Sequence, residues 1–346
     1  MTLRLFPLLL FTLLGTCGRA QSDVSLAFIK GGTGFLIDSV TVRTSLDQEP
    51  YGFAFPTDTL LLDVSIFAPV DQITLETFAR GTSFGLAACW VDGPTANVHL
   101  SVDAGRNLID SVGLSPVHRW FVDRLRAVNV LAKPAMRQQL LISATEDSFS
   151  NLMSASFGEY FLRQPYANRI GAEWLYNIFA DQPPSLKRHP QVKAVRERLK
   201  FLSGGERLNP RPYAFADPAG TPATLRLPKA DLILLNFYGT DTDLVRAEHT
   251  AIEQLVTTDS LFQKVPVIGV SLDPSDALWK LYQREEKFSW RHYREVPRRG
   301  LFFHDKVPLY PTGATYVLVN GQGVPLAIFP SLRMAVAAVA LRLKRQ

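Results

Sequence analysis

The residues best suited to chemistry lie in one short polar segment. Asp241, Thr242 and Asp243 follow an apolar run, residues 232–238, and precede a segment with helical apolar spacing. Aspartate and threonine are favoured at helix N-termini, where their oxygens accept backbone N–H groups and carboxylates complement the helix dipole. The alternative is a small cation held by Asp241 and Asp243, but no third carboxylate or histidine lies nearby to complete its coordination. The segment therefore predicts a capped helix start, and we expect neither a metal nor a cofactor.

The chain contains only two cysteines, Cys17 and Cys89. Cys89 belongs to the apolar segment Leu86-Ala87-Ala88-Cys89-Trp90, which is typical of a core strand. No Lys, Arg or His adjoins it in sequence to lower the pKa of its thiol. We therefore expect Cys89 to be buried and structural rather than reactive.

Turn residues and changes of hydrophobic period divide the chain into three zones. Residues 21–114 read as short alternating strands separated by glycine-rich turns, which predicts a β-sandwich. Residues 115–203 change to a helical period rich in aromatic residues, which predicts a helical connecting segment whose aromatics pack in the core. Residues 204–346 alternate strands and helices and predict an α/β domain with a central mixed sheet flanked by helices.

The expected strands are 24–29, 39–43, 60–67, 73–78, 84–90, 97–102, 232–238, 265–272, 315–319 and 324–329. The expected helices are one beginning at the Ser115-Pro116 cap, then 135–144, 148–161, 168–179, 190–202, 243–256, 276–286 and 331–345. His249 falls one to two turns into the helix that starts at Asp243, on or beside its inner face, which favours a packed histidine over a lone ligand.

The first twenty residues have the pattern of a secretory signal peptide. Arg4 precedes an apolar core, residues 5–14, and small residues lead to Ala20. The core is too short to span a bilayer, and no later run is long and apolar enough to do so. We expect export to the periplasm or cell envelope with cleavage after Ala20; a lipid anchor at Cys17 is the alternative.

The charge balance excludes few partners but gives no support to nucleic-acid binding. Removal of Arg4 and Arg19 with the leader lowers the net charge from +5 to +3. The basic groupings at 187–200 and 291–299 lack the interleaved aromatics of a recognised nucleic-acid module and are interpreted as a solvated helix face and a loop.

Residues 232–255 resemble the thioredoxin superfamily, and most closely its TlpA-like cell-envelope branch. That branch has Asn-Phe-Trp-Ala-x-Trp-Cys-x-x-Cys-Arg-x-Glu at this place. Four residues match the pattern: Asn236, Phe237, Arg246 and Glu248. Thr242 and Val245 stand where the two cysteines occur in the family. By its layout, the N-terminal β-zone is similar to the β-domain that precedes thioredoxin modules in Bacteroidetes-type envelope proteins.

The resemblance implies a thioredoxin-like fold over about residues 204–346 without the family's dithiol chemistry. That chemistry needs a thiolate at a helix start and a second thiol one turn later. A hydroxyl at Thr242 and an isopropyl group at Val245 cannot exchange disulfides. Ala314 takes the place of the family's cis-proline, with Pro311, three residues earlier, as the alternative. The Arg and Glu of the pattern are expected to serve the helix surface and local ion pairing.

These observations favour a redox-inactive envelope protein with a binding or scaffolding role. The expected surface is a shallow groove facing a peptide or protein partner, formed by Gly239–Asp243 together with Gly313, Ala314 and Thr315. One alternative is an enzyme related to thiol-disulfide oxidoreductases, acting through a partner or through Cys89. A third interpretation treats the α/β domain as a passive spacer beside a structural β-domain.

Overall fold

The computed structural model describes residues 21–31, 36–47, 49–67, 69–103, 106–240, 243–260, 262–297, 301–311 and 313–344. The predicted signal peptide, with Cys17, lies outside the described residues, as do Asp241 and Thr242. The chain divides into two compact units, with the boundary between Val122 and Asp123. The finer boundaries expected near residues 114 and 203 stay predictions.

The first unit is rich in β-strands, as its alternating pattern indicates. The strands are β1 Gln21–Lys30, β2 Ser39–Arg43, β3 Tyr51–Ala54, β4 Thr59–Phe67, β5 Val70–Ala79, β6 Thr82–Asp92, β7 Thr95–Asp103 and β8 Arg106–Gly113. They form two four-stranded sheets, ordered β4-β1-β7-β8 and β3-β2-β5-β6. Buried side chains from both sheets, including Phe28 and Ile73, belong to one apolar cluster. The β-rich character is confirmed, and the β-sandwich stays a prediction.

Helices follow, and their ends obey local rules. They are α1 Pro116–Val130, α2 Pro134–Asp147, α3 Met153–Leu162, α4 Arg169–Asp181, α5 Pro184–Lys187 and α6 Pro190–Gly204. Proline occupies the first turn of α2, α5 and α6, where its missing N–H costs nothing. Asn168 caps α4 by accepting from the Gly171 N–H, and left-handed Gly205 (φ 61°) ends α6. Phe157, Phe161 and Phe179 are fully buried, so much of the aromatic stripe is core.

The remaining elements build one seven-stranded mixed sheet. They are β9 Ala214–Ala216, β10 Pro222–Ala223, β11 Leu232–Tyr238, α7 Asp243–Thr258, β12 Val267–Ser271, α8 Asp276–Glu286, β13 Arg291–Val296, β14 Thr315–Asn320, β15 Pro325–Phe329 and α9 Leu332–Leu343. The strand order is β10-β9-β13-β12-β11-β14-β15. Strands β11, β12 and β13 are mutually parallel, and β14 and β15 pair antiparallel beside β11. The expected strand, helix, strand, helix, hairpin and helix occur in that order, with β13 as an additional strand between α8 and the hairpin.

The interpretation of the second basic grouping as a loop needs correction. The basic grouping at 291–299 is not all loop, because Arg291–Val296 is strand β13, paired with β12 and β9. His292 and Glu295 of this strand are buried. Because these buried side chains are polar, the hydropathy pattern does not indicate a strand here. Polar side chains are nevertheless stable in a core when they are hydrogen-bonded.

Two arginines link parts of the C-terminal unit that are distant in sequence. The Arg342 guanidinium on α9 donates to the carbonyl oxygens of Ala167 (2.9 Å) and Leu326 (3.1 Å). Arg198 on α6 is buried, and so is not part of a solvated helix face. It pairs with Glu159 on α3 at 3.2 Å.

Of the helices in the described part of the chain, none is both long and apolar enough to cross a bilayer.

Candidate functional site

The candidate site lies where the parallel strands β11 and β12 end and α7 and α8 begin. Ligands of open α/β sheets bind at such carboxyl ends, because loops there are free to vary on a rigid base. The register pairs Phe237 with Val270 on one side and with Thr315 on the other, which brings three chain segments together. We call this region the strand-end surface and define it by Gly239, Thr240, Leu244, Asp273 and Gly313.

Asp273 joins the two strand ends rather than offering a free carboxylate. Its Oδ1 accepts from the Thr240 N–H (2.9 Å) and the Thr240 hydroxyl (3.0 Å). Its Oδ2 accepts from the Ser271 hydroxyl at 2.5 Å. Because hydrogen bonds from neighbouring groups occupy both oxygens, Asp273 is suited to holding the loop in shape rather than to acid–base chemistry.

Thr242 and Val245, where the sequence resemblance places the family's cysteines, differ in what can be described. Thr242 lies outside the described residues, whereas Val245 is only 2% exposed and belongs to the core cluster of the sheet. Its isopropyl group carries no heteroatom that could be a nucleophile or a metal ligand.

The predicted groove residues divide into exposed and buried members. Asp243 and Gly313 are exposed, while Ala314 and Thr315 are each 1% exposed. The Thr315 hydroxyl accepts from the Tyr310 N–H at 2.9 Å. Gly313 has a φ of +71°, and a Cβ there would lie 3.8 Å from Cδ2 of Leu244. The structure therefore brings Gly313 against the first turn of α7 and leaves Ala314 and Thr315 in the core. The assignment of Pro311 as a displaced proline stays a prediction.

A cleft of about 540 Å³ opens beside the strand-end surface, between α7 and α8. Gly239 and Thr240 line one end, and Leu278 and Leu281 line the helix side. Two of the leucines that line it are exposed, Leu278 by 62% and Leu281 by 45%, and Leu244 in the first turn of α7 is exposed by 61%. Exposed leucines gathered at one edge are typical of an interaction site, whereas scattered ones need no explanation.

Arg246, one of the residues that match the family pattern, lines this cleft and already forms ion pairs. Its guanidinium lies 2.8 Å from Glu286 and 3.6 Å from Glu285, and 5.6 Å from the centre of the Tyr282 ring. The expected ion pairing of Arg246 is confirmed.

Glu248 differs from the expectation of a helix-surface residue. It accepts the Tyr316 hydroxyl at 2.8 Å and the Leu332 N–H at 2.9 Å, so it joins α7 to β14 and to the start of α9. The matching residues Arg246 and Glu248 thus both link elements that are distant in sequence.

Beneath the surface lies a buried polar network centred on His249, which is 0% exposed. The Asn236 amide nitrogen donates to Nε2 at 2.8 Å, which leaves Nδ1–H to donate to the Tyr282 hydroxyl at 2.7 Å. Burial lowers the pKa of His249 to about 3, so the ring is neutral at pH 7. The expected packed histidine is confirmed.

A second histidine extends the network. His292 Nδ1 lies 3.0 Å from the Tyr238 hydroxyl. The same hydroxyl accepts from Trp279 Nε1 (3.3 Å) and from the Gln283 amide nitrogen (3.2 Å). Burial, with a smaller contribution from His249, lowers the pKa of His292 well below its usual range. Sequence reasoning missed these partners, because their separations of 41 to 54 residues leave no local signal. The network is buried, neutral and structural.

Cys89 lies on β6 in the other unit and is fully buried. Burial raises the pKa of its thiol to about 12, so it is not a thiolate at neutral pH. The prediction of a buried Cys89 is confirmed. Among the described residues, no three His, Cys, Asp or Glu side chains cluster so as to hold a metal ion.

No protein-family model and no curated protein matches the sequence of this chain. Solved structures resemble about two fifths of the chain. The thioredoxin domain of a thiol-disulfide oxidoreductase from Bacteroides vulgatus is 16% identical, covering 40% of this chain and 95% of its own, with a TM-score of 0.33. A thiol-disulfide oxidoreductase from Bacteroides fragilis is 18% identical, covering 40% and 98%, with a TM-score of 0.32. A secreted Mycobacterium tuberculosis disulfide oxidoreductase is 11% identical, covering 37% and 95%, with a TM-score of 0.30.

By its own topology, the C-terminal domain has a thioredoxin-like fold. Its strand order, its parallel β11 and β12, and its closing hairpin and helix agree with the resemblance seen in the sequence.

Proposed function

We propose that this chain is an exported cell-envelope protein whose thioredoxin-like domain binds a peptide or protein partner and performs no thiol-disulfide exchange. The strand-end surface and the adjoining cleft are the binding region. The partner segment is extended and apolar, since Leu278 and Leu281 give the cleft an exposed apolar wall. Export rests on the leader pattern of residues 1–20.

The position of Val245 carries this proposal. It replaces the second cysteine of the family with a buried isopropyl group, at the place where a resolving thiol would be needed. The sole remaining thiol outside the leader, Cys89, is buried with a raised pKa. The alternative enzyme acting through Cys89 would need a thiolate that burial disfavours.

The retained geometry supports binding. Asp273 holds Thr240 at the end of β11, and Gly313 lies against Leu244. The loops at the strand ends therefore keep a defined shape although they do not exchange disulfides. The exposed leucines supply apolar area at a site whose nearby arginine, Arg246, is already paired with Glu285 and Glu286. Burial of such area on a partner is favourable by about 25 cal/mol per Å² before the costs of association.

Selection of peptides from a random displayed library tests the proposal. The selected peptides are expected to be rich in apolar residues and to bind the wild type in fluorescence anisotropy. The double variant Leu278→Asp/Leu281→Asp should weaken them by at least about tenfold, because bound peptide would desolvate the new carboxylates.

A matched control places the same charges on exposed leucines elsewhere. Leu61 and Leu86 are 74% and 69% exposed and belong to the N-terminal unit. Leu61→Asp/Leu86→Asp should bind the selected peptides like the wild type. Equal binding by all three proteins, or no selected peptide at all, would refute the proposed binding region.

A further inference from the structure

A second cleft, of about 770 Å³, lies at the opposite end of the sheet from the strand-end surface. Residues 207–211, residues 224–227 and the turn after β14 form its walls. Asn320 at the end of β14 pairs with Leu232 at the start of β11, which places this turn at the amino end of the central strand. The two clefts share no lining residue.

The lining of this cleft is strongly basic. Arg207, Arg211 and Arg226 line it and are exposed, and its lining includes no aspartate or glutamate. Asn209, Thr224 and Gln322 add neutral hydrogen-bonding groups.

Within the part of the chain that the structure describes, none of the three guanidinium groups forms an ion pair with a carboxylate. Arg207 donates to the Gln322 amide oxygen at 3.3 Å, which directs it along the turn. Glu206, the nearest acid in sequence, lines a neighbouring cavity and lies 3.9 Å from Lys306.

The backbone that carries these arginines is held in place. The Leu208 N–H donates to the Gly323 carbonyl oxygen at 2.9 Å, and the Asn320 side chain accepts from the N–H groups of Gln322 (3.0 Å) and Val324 (2.9 Å). The turn packs so closely that a Cβ on Gly323 would lie 2.8 Å from the Leu208 carbonyl oxygen. The wall around Leu208 and the turn after β14 are therefore held together as one fixed side of the cleft.

We propose that this cleft binds a small ligand that carries two or more oxyanion groups. The planar guanidinium fork matches phosphate and carboxylate oxygens and pairs with them bidentately. Three like charges around one concavity repel one another, and a bound polyanion removes that repulsion. The volume falls in the range of small-molecule sites. Phosphate-bearing and carboxylate-bearing ligands share this chemistry.

Titration calorimetry of the full chain with inorganic pyrophosphate and with citrate tests the proposal. The variant Arg211→Gln/Arg226→Gln removes two of the three cations, and Arg284→Gln/Arg291→Gln removes the same charge from exposed residues outside the cleft. We expect the cleft variant to bind the probe anion about tenfold more weakly for each guanidinium removed, because losing one charge-assisted hydrogen bond lowers affinity by about tenfold. The control variant should bind like the wild type.

The outcomes separate the ligand sources. Binding of pyrophosphate alone assigns a phosphate-bearing ligand, binding of citrate alone a carboxylate-bearing one, and binding of both a general oxyanion site. Binding of neither probe, or equal weakening in the cleft and control variants, overturns the proposal. Peptide binding at the strand-end surface is measured independently of these titrations, so failure of one proposal leaves the other standing.

Discussion

Lowering the pH from 7 to 5 is expected to destabilise the thioredoxin-like domain by about 4 kcal/mol, through His249 and His292. Both rings are buried, and burial holds the pKa of His249 at about 3 and that of His292 well below its usual range. In the unfolded chain each histidine has a pKa of about 6.5. The unfolded state therefore binds more protons than the folded state throughout this interval, and stability falls as the pH falls.

The magnitude follows from that difference. At pH 5 both rings are still neutral in the folded state, while in the unfolded state each is almost fully protonated. The protonation free energy gained by the unfolded chain between pH 7 and pH 5 is about 2 kcal/mol for each histidine. Two histidines give about 4 kcal/mol, a large part of a typical unfolding free energy of about 5–15 kcal/mol.

The groups that face His249 do not offset this effect. His249 meets Asn236 and Tyr238 of β11 and Tyr282 of α8, with Trp290 at 5.1 Å. Burial raises the pKa of both tyrosines, so neither ionises between pH 5 and 7. The imidazolium form would thus meet no carboxylate among the contacts that the described structure gives His249.

Urea unfolding at pH 7, 6 and 5 measures the effect. Samples are pulse-labelled by hydrogen exchange at one fixed pH, and peptides covering β11 report this domain apart from the N-terminal unit. His249→Gln and His292→Gln should each remove about half of the pH dependence, since glutamine does not titrate. Ile252→Val, which should lower stability by about 1 kcal/mol at every pH, serves as a control for destabilisation alone. The reasoning fails if the histidine variants keep the wild-type pH dependence.

Two matched pairs of substitutions test the packing of the C-terminal unit. Arg198→Met should lower the free energy of unfolding by about 3 kcal/mol, because it leaves Glu159 without its buried partner. Arg163→Met removes an exposed partner of the same carboxylate and should cost below about 1 kcal/mol in urea unfolding. Similar losses for the two variants would contradict the burial argument. Gly323→Ala and Gly313→Ala both place an alanine in a left-handed backbone, but only the new Cβ at residue 323 meets a backbone oxygen. Gly323→Ala should therefore be more destabilising by at least about 1 kcal/mol in the same assay. Equal effects would show that the turn is not closely packed.

The sequence predicts the elements whose pattern is complete within one segment. Strand β11 and helix α8 have the expected bounds, because a continuous apolar run and an Asp-Pro-Ser cap are local signals. Strand β13 was missed because four of its six residues are charged or histidine, and its burial depends on distant partners. Glu295, for example, accepts from the His304 N–H at 2.8 Å.

The candidate site shows the same division. The sequence alone predicts, through its resemblance to the thioredoxin superfamily, that Thr242 and Val245 replace two cysteines, and it also predicts the inward position of His249. The leucine-lined cleft was not predicted, because Leu278 and Leu281 look like ordinary core positions of α8, yet they are exposed. The three-arginine cleft was not predicted either, since Arg207 and Arg226 come together only through the turn after β14.

Insulin reduction in the presence of dithiothreitol tests most directly the claim that this thioredoxin-like domain binds without exchanging disulfides. With the mature protein, the rate of insulin precipitation is predicted to equal the rate of the protein-free blank. A catalytic rate above the blank, whether or not it survives Cys89→Ser, would contradict the account.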